Sequence, residues 1–173
     1  MCISQRTHLL AHAPTGLGKT AVALTAALET AVEENAMVLF LTSRQSQHAI
    51  AVETARAIWR KHRIGVVDLI AREDMCLTER SVLPCQDGRA CFFAHSRCGP
   101  VAEILLEYPL HVQETSRTCL REGACPYNSA LMAARSADLV IADYNHAFSS
   151  NPLLPERLGR PAKDVILVVD EAH

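Results

Sequence analysis

The sequence predicts an α/β domain: a parallel sheet covered by helices and interrupted by a cysteine-rich insertion. Three observations point there. Short apolar runs alternate with stretches of helical spacing from Thr7 to Ile70. A glycine-containing turn, Ala13-Pro14-Thr15-Gly16-Leu17-Gly18-Lys19-Thr20, joins a strand-like run to a helix-like one. Near the other end, the wholly apolar run Val165–Val169 stops abruptly on Asp170-Glu171.

The elements follow in order. Thr7–Ala13 is short and apolar and reads as a buried strand leading into the turn. Thr20–Glu33 carries Ala and Leu at helical spacing. Ala36–Thr42, rich in Val, Leu and Phe, is a second strand. Gln45–His62 is a second helix, with Ile50, Val52, Ala55 and Ile58 on or near one face, and Gly65–Ile70 is a third strand. The alternation then breaks. From Arg72 to Tyr127 the chain holds most of its cysteines, several turn residues and no clean strand, with one helix expected over Pro100–Glu107. Order returns with a helix over Ser129–Ser136 and a strand over Asp138–Ala142. Ser149–Pro161 is a proline-bearing loop, and Asp164–Val169 is a final strand. The expected division is therefore a sheet-and-helix domain from residues 1–71 and 128–173, with 72–127 inserted.

Composition sets the bounds. A length of 173 residues suits one domain, or one domain with an insertion. The 49% apolar content is enough to bury a core. A formal charge of −2 neither demands nor excludes a nucleic-acid partner, because local patches matter more than the sum. Val165–Val169, like every other apolar run, falls far short of the ~18–20 residues that span a bilayer, so no membrane association is expected. The N-terminus lacks the pattern of a secretory signal. A cytoplasmic setting follows, or a nuclear one in a eukaryote. There thiols stay reduced, and clustered cysteines bind metal more often than they pair.

The two outer motifs have the chemistry of nucleotide hydrolysis. Gly16 and Gly18 allow a tight turn that brings backbone N–H groups to phosphate oxygens, and the following helix points its positive end at the same anions. Lys19 would reach the β- and γ-phosphates, and the Thr20 hydroxyl would ligate Mg²⁺. The strict pattern has Gly where this chain has Ala13. At the other end, a strand delivers Asp170 and Glu171 to the carboxyl edge of the sheet, where such folds bind ligands. Asp170 would hold Mg²⁺, Glu171 would orient and deprotonate the attacking water, and His173 would couple the site to movement. Acidic pairs after strands are common. The loop in the same chain is what makes the pair informative.

Between these motifs lie Cys76, Cys85, Cys91, Cys98, Cys119 and Cys125. The tight C-x₂-C pairs usual in zinc knuckles are absent, which argues against zinc. Buried thiols without metal are the plain alternative, at odds with so many cysteines in a loop-rich segment.

Here the sequence resembles the XPD-like iron–sulfur DNA helicases over nearly its whole length. Cys125-Pro126-Tyr127 matches the last cluster cysteine of that family, and Cys91-Phe92-Phe93 is similar to the third. Arg72, upstream of Cys76, matches an arginine beside the cluster. Ala137-Asp138 with Tyr144-Asn145 resembles the segment ahead of the DEAH box, Asp170-Glu171-Ala172-His173. Thr42-Ser43-Arg44-Gln45-Ser46-Gln47 resembles a DNA-contacting motif, with Gln47 aligned and Arg44 shifted by one position. Ala at position 13 is common in this superfamily of helicases. The resemblance implies a RecA-like motor domain that binds ATP with Mg²⁺. It also implies a [4Fe–4S] cluster on Cys76, Cys85, Cys91 and Cys125, with Cys98 as the rival ligand, and single-stranded DNA contacts at Arg72 and Gln47. It further implies 5′→3′ translocation and a second motor domain beyond the DEAH box. The chain is thus expected to be a fragment, inactive alone. Three other readings stay open: a DinG-like helicase of the same superfamily, a non-catalytic metal- and DNA-binding module, and a zinc-containing ATPase unrelated to DNA.

Overall fold

A computed structural model describes residues 7–14, 16–76, 95–148 and 157–172. Four parallel strands, β1 (Met37–Thr42), β2 (Val66–Leu69), β3 (Leu139–Asp143) and β4 (Val165–Val169), form one sheet in the order β2-β3-β1-β4. Val38 and Leu39 face Leu139 and Val140 on β3, and Ile166 and Leu167 on β4. β1 is buried at every position, as a central parallel strand covered on both faces must be.

Helices cover the two faces. On one side lie α1 (Lys19–Glu34) and α2 (Gln45–Trp59), whose Leu24, Leu28, Val52 and Ala55 meet Val38, Phe40 and Ile141. On the other lie α4 (Cys98–Leu106), α5 (Val112–Glu122) and α6 (Pro126–Ala134). Their Val101, Leu105, Cys119 and Tyr127 share a core with Leu39, Leu41, Leu69 and Val140. Short helices α3 (Arg72–Met75) and α7 (Asn145–Phe148) follow β2 and β3. The described part of the cysteine-rich segment is thus built onto the sheet, with the side chains of Cys98, Cys119 and Met75 in its core.

Local signals explain the helix ends. α1 is rich in Ala, the strongest helix former, and closes on Asn35 in the left-handed region, φ 52°, whose neighbour Ala36 donates to Ala31 O. α5 opens with the Glu114 carboxylate accepting the His111 N–H at 2.8 Å and closes at Gly123, φ 66°. α6 opens with Pro126 in its first turn, where a missing N–H costs nothing, and that proline keeps Cys125 extended. α2 is tied to the loop before α5 through aromatic and charged contacts. Trp59 meets Tyr108 edge-on at 5.0 Å, the Arg63 guanidinium lies 3.4 Å over the indole, and Arg56 Nε donates to Pro109 O at 3.0 Å.

The expected strand Thr7–Ala13 is absent. Residues 7–14 are irregular, with Leu9 70% and Leu10 90% exposed. Apolar residues make a strand only where a sheet edge accepts their N–H and C=O groups. Among the described residues β4 pairs with β1 alone, and Leu167 at its centre is 46% exposed. The helix expected over Pro100–Glu107 is α4, and α3, α5 and the start of α6 are further helices between Arg72 and Tyr127. Among the described residues no helix is long and apolar enough to cross a membrane.

Candidate functional site

Because α1 runs back against its parallel strand, its N-terminus and the turn before it lie at the carboxyl edge of the sheet. Gly16 and Gly18 both take left-handed backbone angles, φ 85° and 74°, which is why glycine stands at each. Lys19 Nζ donates to Ala13 O at 3.0 Å and to Pro14 O at 3.4 Å, drawing the turn round its own ammonium group. Neither a side-chain cap nor an acidic residue occupies the first turn of α1, so its N–H groups face the loop as an anion site would require. Leu17 is exposed and Thr20 half-buried beside Lys19; Thr15 lies outside the described residues.

β4 brings Asp170 to the same edge. The Asp170 N–H continues the β1 pairing by donating to Leu41 O at 2.9 Å. The Tyr144 hydroxyl donates to Asp170 O, fixing the acidic turn from the end of β3. Burial raises the Tyr144 pKa, and the nearby charges of Asp170 and Glu171 raise it further, so the phenol stays a donor. Glu171 takes φ 55°, an unusual angle for a glutamate. His173 lies outside the described residues.

The cysteines divide. Cys125 stands at the N-cap position of α6. Half-buried Cys76 follows α3, and Arg72 in that helix lies 4.9 Å over the ring of Tyr127, so the Cys76 and Cys125 segments are neighbours. Cys119 is fully buried. Burial pushes its thiol up to about 11, against a lowering contact with Ser129 and with Cys125 and Cys98 adding to the rise. That favours the protonated core role over ligation. Cys98, the rival ligand, opens α4 within the same core. Cys85 and Cys91 lie outside the described residues, and among the described residues no three His, Cys, Asp or Glu side chains are grouped to hold a metal ion.

A second cluster lies under the ends of β2 and β3. Fully buried His48 sits between two carboxylates, Nδ1 2.6 Å from Asp68 and Nε2 3.3 Å from Asp143. Asp68 is also buried, accepts the Val112 N–H at 2.9 Å and lies 3.7 Å from His111. Burial works to lower the His48 pKa, but hydrogen bonds to Asp143 and Asp68 and the charges of both outweigh it, raising it from 6.5 to about 9. Both ring nitrogens then donate. Nearby His146 is lowered, chiefly by burial, and Asp143 only partly offsets this. The folded protein keeps the His48 proton to about pH 9, whereas the unfolded chain releases it near 6.5. This stability is therefore full below pH 6.5 and lost as pH rises through 9. Urea unfolding midpoints should fall across that window more steeply in the parent than in His48→Gln. Parallel profiles would contradict the charged state.

Beside Asp143 is an open depression of about 390 Å³, lined by Ser43 and Gln45 after β1, Ala71 and Asp74 after β2, and Asp143, Tyr144 and Asn145 at the end of β3. Of the two expected DNA contacts, Gln47 lies in the first turn of α2 and Arg72 opens α3. Sequence reasoning missed His48, Asp68 and Asp143. The available signal was Asp68 itself, a carboxylate inside an otherwise apolar strand, which requires a buried partner.

The family model for DEAD_2 matches residues 26–173. Among solved structures, one named XPD helicase aligns with a TM-score of 0.65 at 22% identity, covering 94% of this chain and 28% of that one. Another, named truncated XPD, aligns with a TM-score of 0.62 at 24% identity, covering 93% of this chain and 46% of that one. The chain thus spans less than half the length of either structure, and both share its fold.

Proposed function

Since this chain belongs to the DEAD_2 family, we propose that it forms the ATP-binding half of a DNA helicase motor that couples hydrolysis to movement along single-stranded DNA, 5′→3′ as its sequence resemblance implies. One observation carries the reading: the Lys19 loop and the Asp170 end of β4 lie at one carboxyl edge, where phosphates and a metal can meet. The loop N–H groups and Lys19 bind and neutralise the β- and γ-phosphates. The Thr20 hydroxyl and the Asp170 carboxylate are the oxygen donors Mg²⁺ requires. Glu171 takes the proton of the attacking water, and Tyr144 keeps the acidic turn in register with β3. A second motor domain would supply the remaining cation. The chain alone is then expected to bind ATP without appreciable turnover. Fluorescent-nucleotide titration and a phosphate-release assay check both halves, and robust DNA-stimulated turnover by this chain would overturn the division of labour.

The insertion, residues 72–127, is the proposed cluster-bearing segment. Four thiolates, from Cys76, Cys85, Cys91 and Cys125, have the donor chemistry for [4Fe–4S], and the apposition of the Cys76 and Cys125 segments through Arg72 and Tyr127 supports two of them. When bound, the cluster cross-links the segment. Cys76 directly follows the short helix that Arg72 opens. Protein purified without oxygen should contain about four iron and four acid-labile sulfide atoms per chain. Cys125→Ser should lose them, while Cys119→Ser should keep them. Zinc in place of iron would favour a zinc-containing ATPase, whereas weak ATP binding with intact DNA binding would favour the non-catalytic module.

A further inference from the structure

One basic run in the sequence, Arg60-Lys61-His62-Arg63, has no part in the nucleotide or strand chemistry above. All four residues are exposed. No acidic residue lies between Glu53 and Asp68 to balance them. The neighbouring Arg56 is matched already, by Glu53 at 2.6 Å and by Glu114, and Asp68 is buried against His48. Among the described residues no carboxylate pairs with Arg60, Lys61 or Arg63. In a chain whose formal charge is −2, these three cations are a local excess of the opposite sign. Stabilising the C-terminus of α2 accounts for little of it. That effect fades beyond the last turn, where Arg56 stands, and Lys61 to Arg63 lie past the C-cap, Arg60.

The place of the run in the fold is the second observation. α2 starts at the carboxyl edge after β1 and ends before β2 begins. The run therefore sits at the amino edge of the sheet, about 20 Å along the helix axis from Gln47. It lies beside β2, an outer strand of the described sheet. The Arg63 guanidinium stacks over the Trp59 indole at 3.4 Å, which steadies its planar fork while the exposed N–H edge stays open to a carboxylate. A nucleic-acid base would find no stacking platform there. Trp59 has Arg63 over its ring, Tyr108 at its edge and the core beneath α2 against it, and Tyr108 in turn lies under Arg56 at 5.2 Å. Cations without a free ring fit carboxylates better than they fit a single strand.

We propose that Arg60, Lys61 and Arg63 form a docking patch for an acidic protein segment, one with several consecutive Asp or Glu residues, which binds at the amino edge while the carboxyl edge keeps its nucleotide. The proposal does not rest on the helicase reading. The test is fluorescence anisotropy with a labelled hexa-aspartate peptide and its hexa-asparagine counterpart. At low salt the aspartate peptide should bind about tenfold more tightly, the sum of three exposed charge contacts. That advantage should vanish near 1 M salt, where screening acts over about 3 Å. Arg60→Ala with Lys61→Ala should remove most of it and leave the Arg63–Trp59 stack in place. Lys163→Ala, an exposed cation before β4, should leave it whole. Trp59 emission should shift with the aspartate peptide alone, because Arg63 covers its ring. Fluorescent-nucleotide affinity should be the same with and without peptide. Equal binding of the two peptides, or of parent and double variant, would overturn the patch. Unlabelled oligo-dT that displaces the aspartate peptide and itself loses affinity in the double variant would overturn the protein partner in favour of nucleic acid. Competition between peptide and nucleotide would overturn the separation of the two edges.

Discussion

Lys19→Ala should lower ATP hydrolysis by the full-length protein about 10²–10³-fold, the usual effect of deleting one preorganised donor from a developing oxyanion. The side chain does more than neutralise phosphate. Its Nζ holds the carbonyls of Ala13 and Pro14, so the substitution removes both the charge and the internal brace of the loop. Nucleotide affinity should fall together with turnover. The unfolding midpoint should hold, because Lys19 lies at the rim of the fold and the α1 contacts to the sheet run through Leu24 and Leu28. Iron content should also hold, because the loop itself contains no cysteine. Equal ATPase rates in parent and variant would remove the loop from the chemistry. A lower melting temperature would mean that it serves the fold instead.

His48→Ala should be the most damaging single change to stability, at about 3–5 kcal/mol. Two carboxylates would lose the cation between them, and Asp68, already out of water, would be left with the Val112 N–H and the more distant His111. For a domain of this size the melting temperature should drop by about 10 °C. Asp68→Asn in the same chain removes the orphaned charge but keeps an acceptor for Val112, so the double variant should recover much of the loss. Strict additivity of the two changes in thermal melts would show that the pair is not coupled. The damage should also be local to the join between α2, β2 and the start of α5, since those are the elements the network ties together.

The sheet and its edge motifs were legible because their signals are local. Val165–Val169 followed by Asp170, and two glycines before Lys19, state their conformation within a few residues. α5 was missed because two of the four residues in its buried stripe, Thr115 and Thr118 beside Val112 and Cys119, are polar, so its period does not show as hydrophobicity. The sharper clue was His111 to Glu114, a capping-box spacing with a histidine in the usual place of Ser or Thr. Thr7–Ala13 misled for the opposite reason: its composition suits a strand, but pairing is decided by a distant neighbour. The same holds for His48, Asp68 and Asp143. They are separated by 20 and 95 positions from His48, and only the crossover that inserts β3 between β1 and β2 brings them together. No sequence window contains that proximity. The helix expected over Ser129–Ser136 begins earlier, at Pro126, whose fixed φ suits a first helical turn.

The chain carries one tryptophan, and its surroundings make it an optical gauge of a single join. Trp59 is the last residue of α2, with the Tyr108 ring at its edge and the Arg63 guanidinium over its face. Its emission therefore reports whether the end of α2 still holds the loop that leads to α5, whereas circular dichroism reports the helices and the sheet as a whole. Where the two signals part company along a denaturant or pH series, the join has opened while the sheet survives.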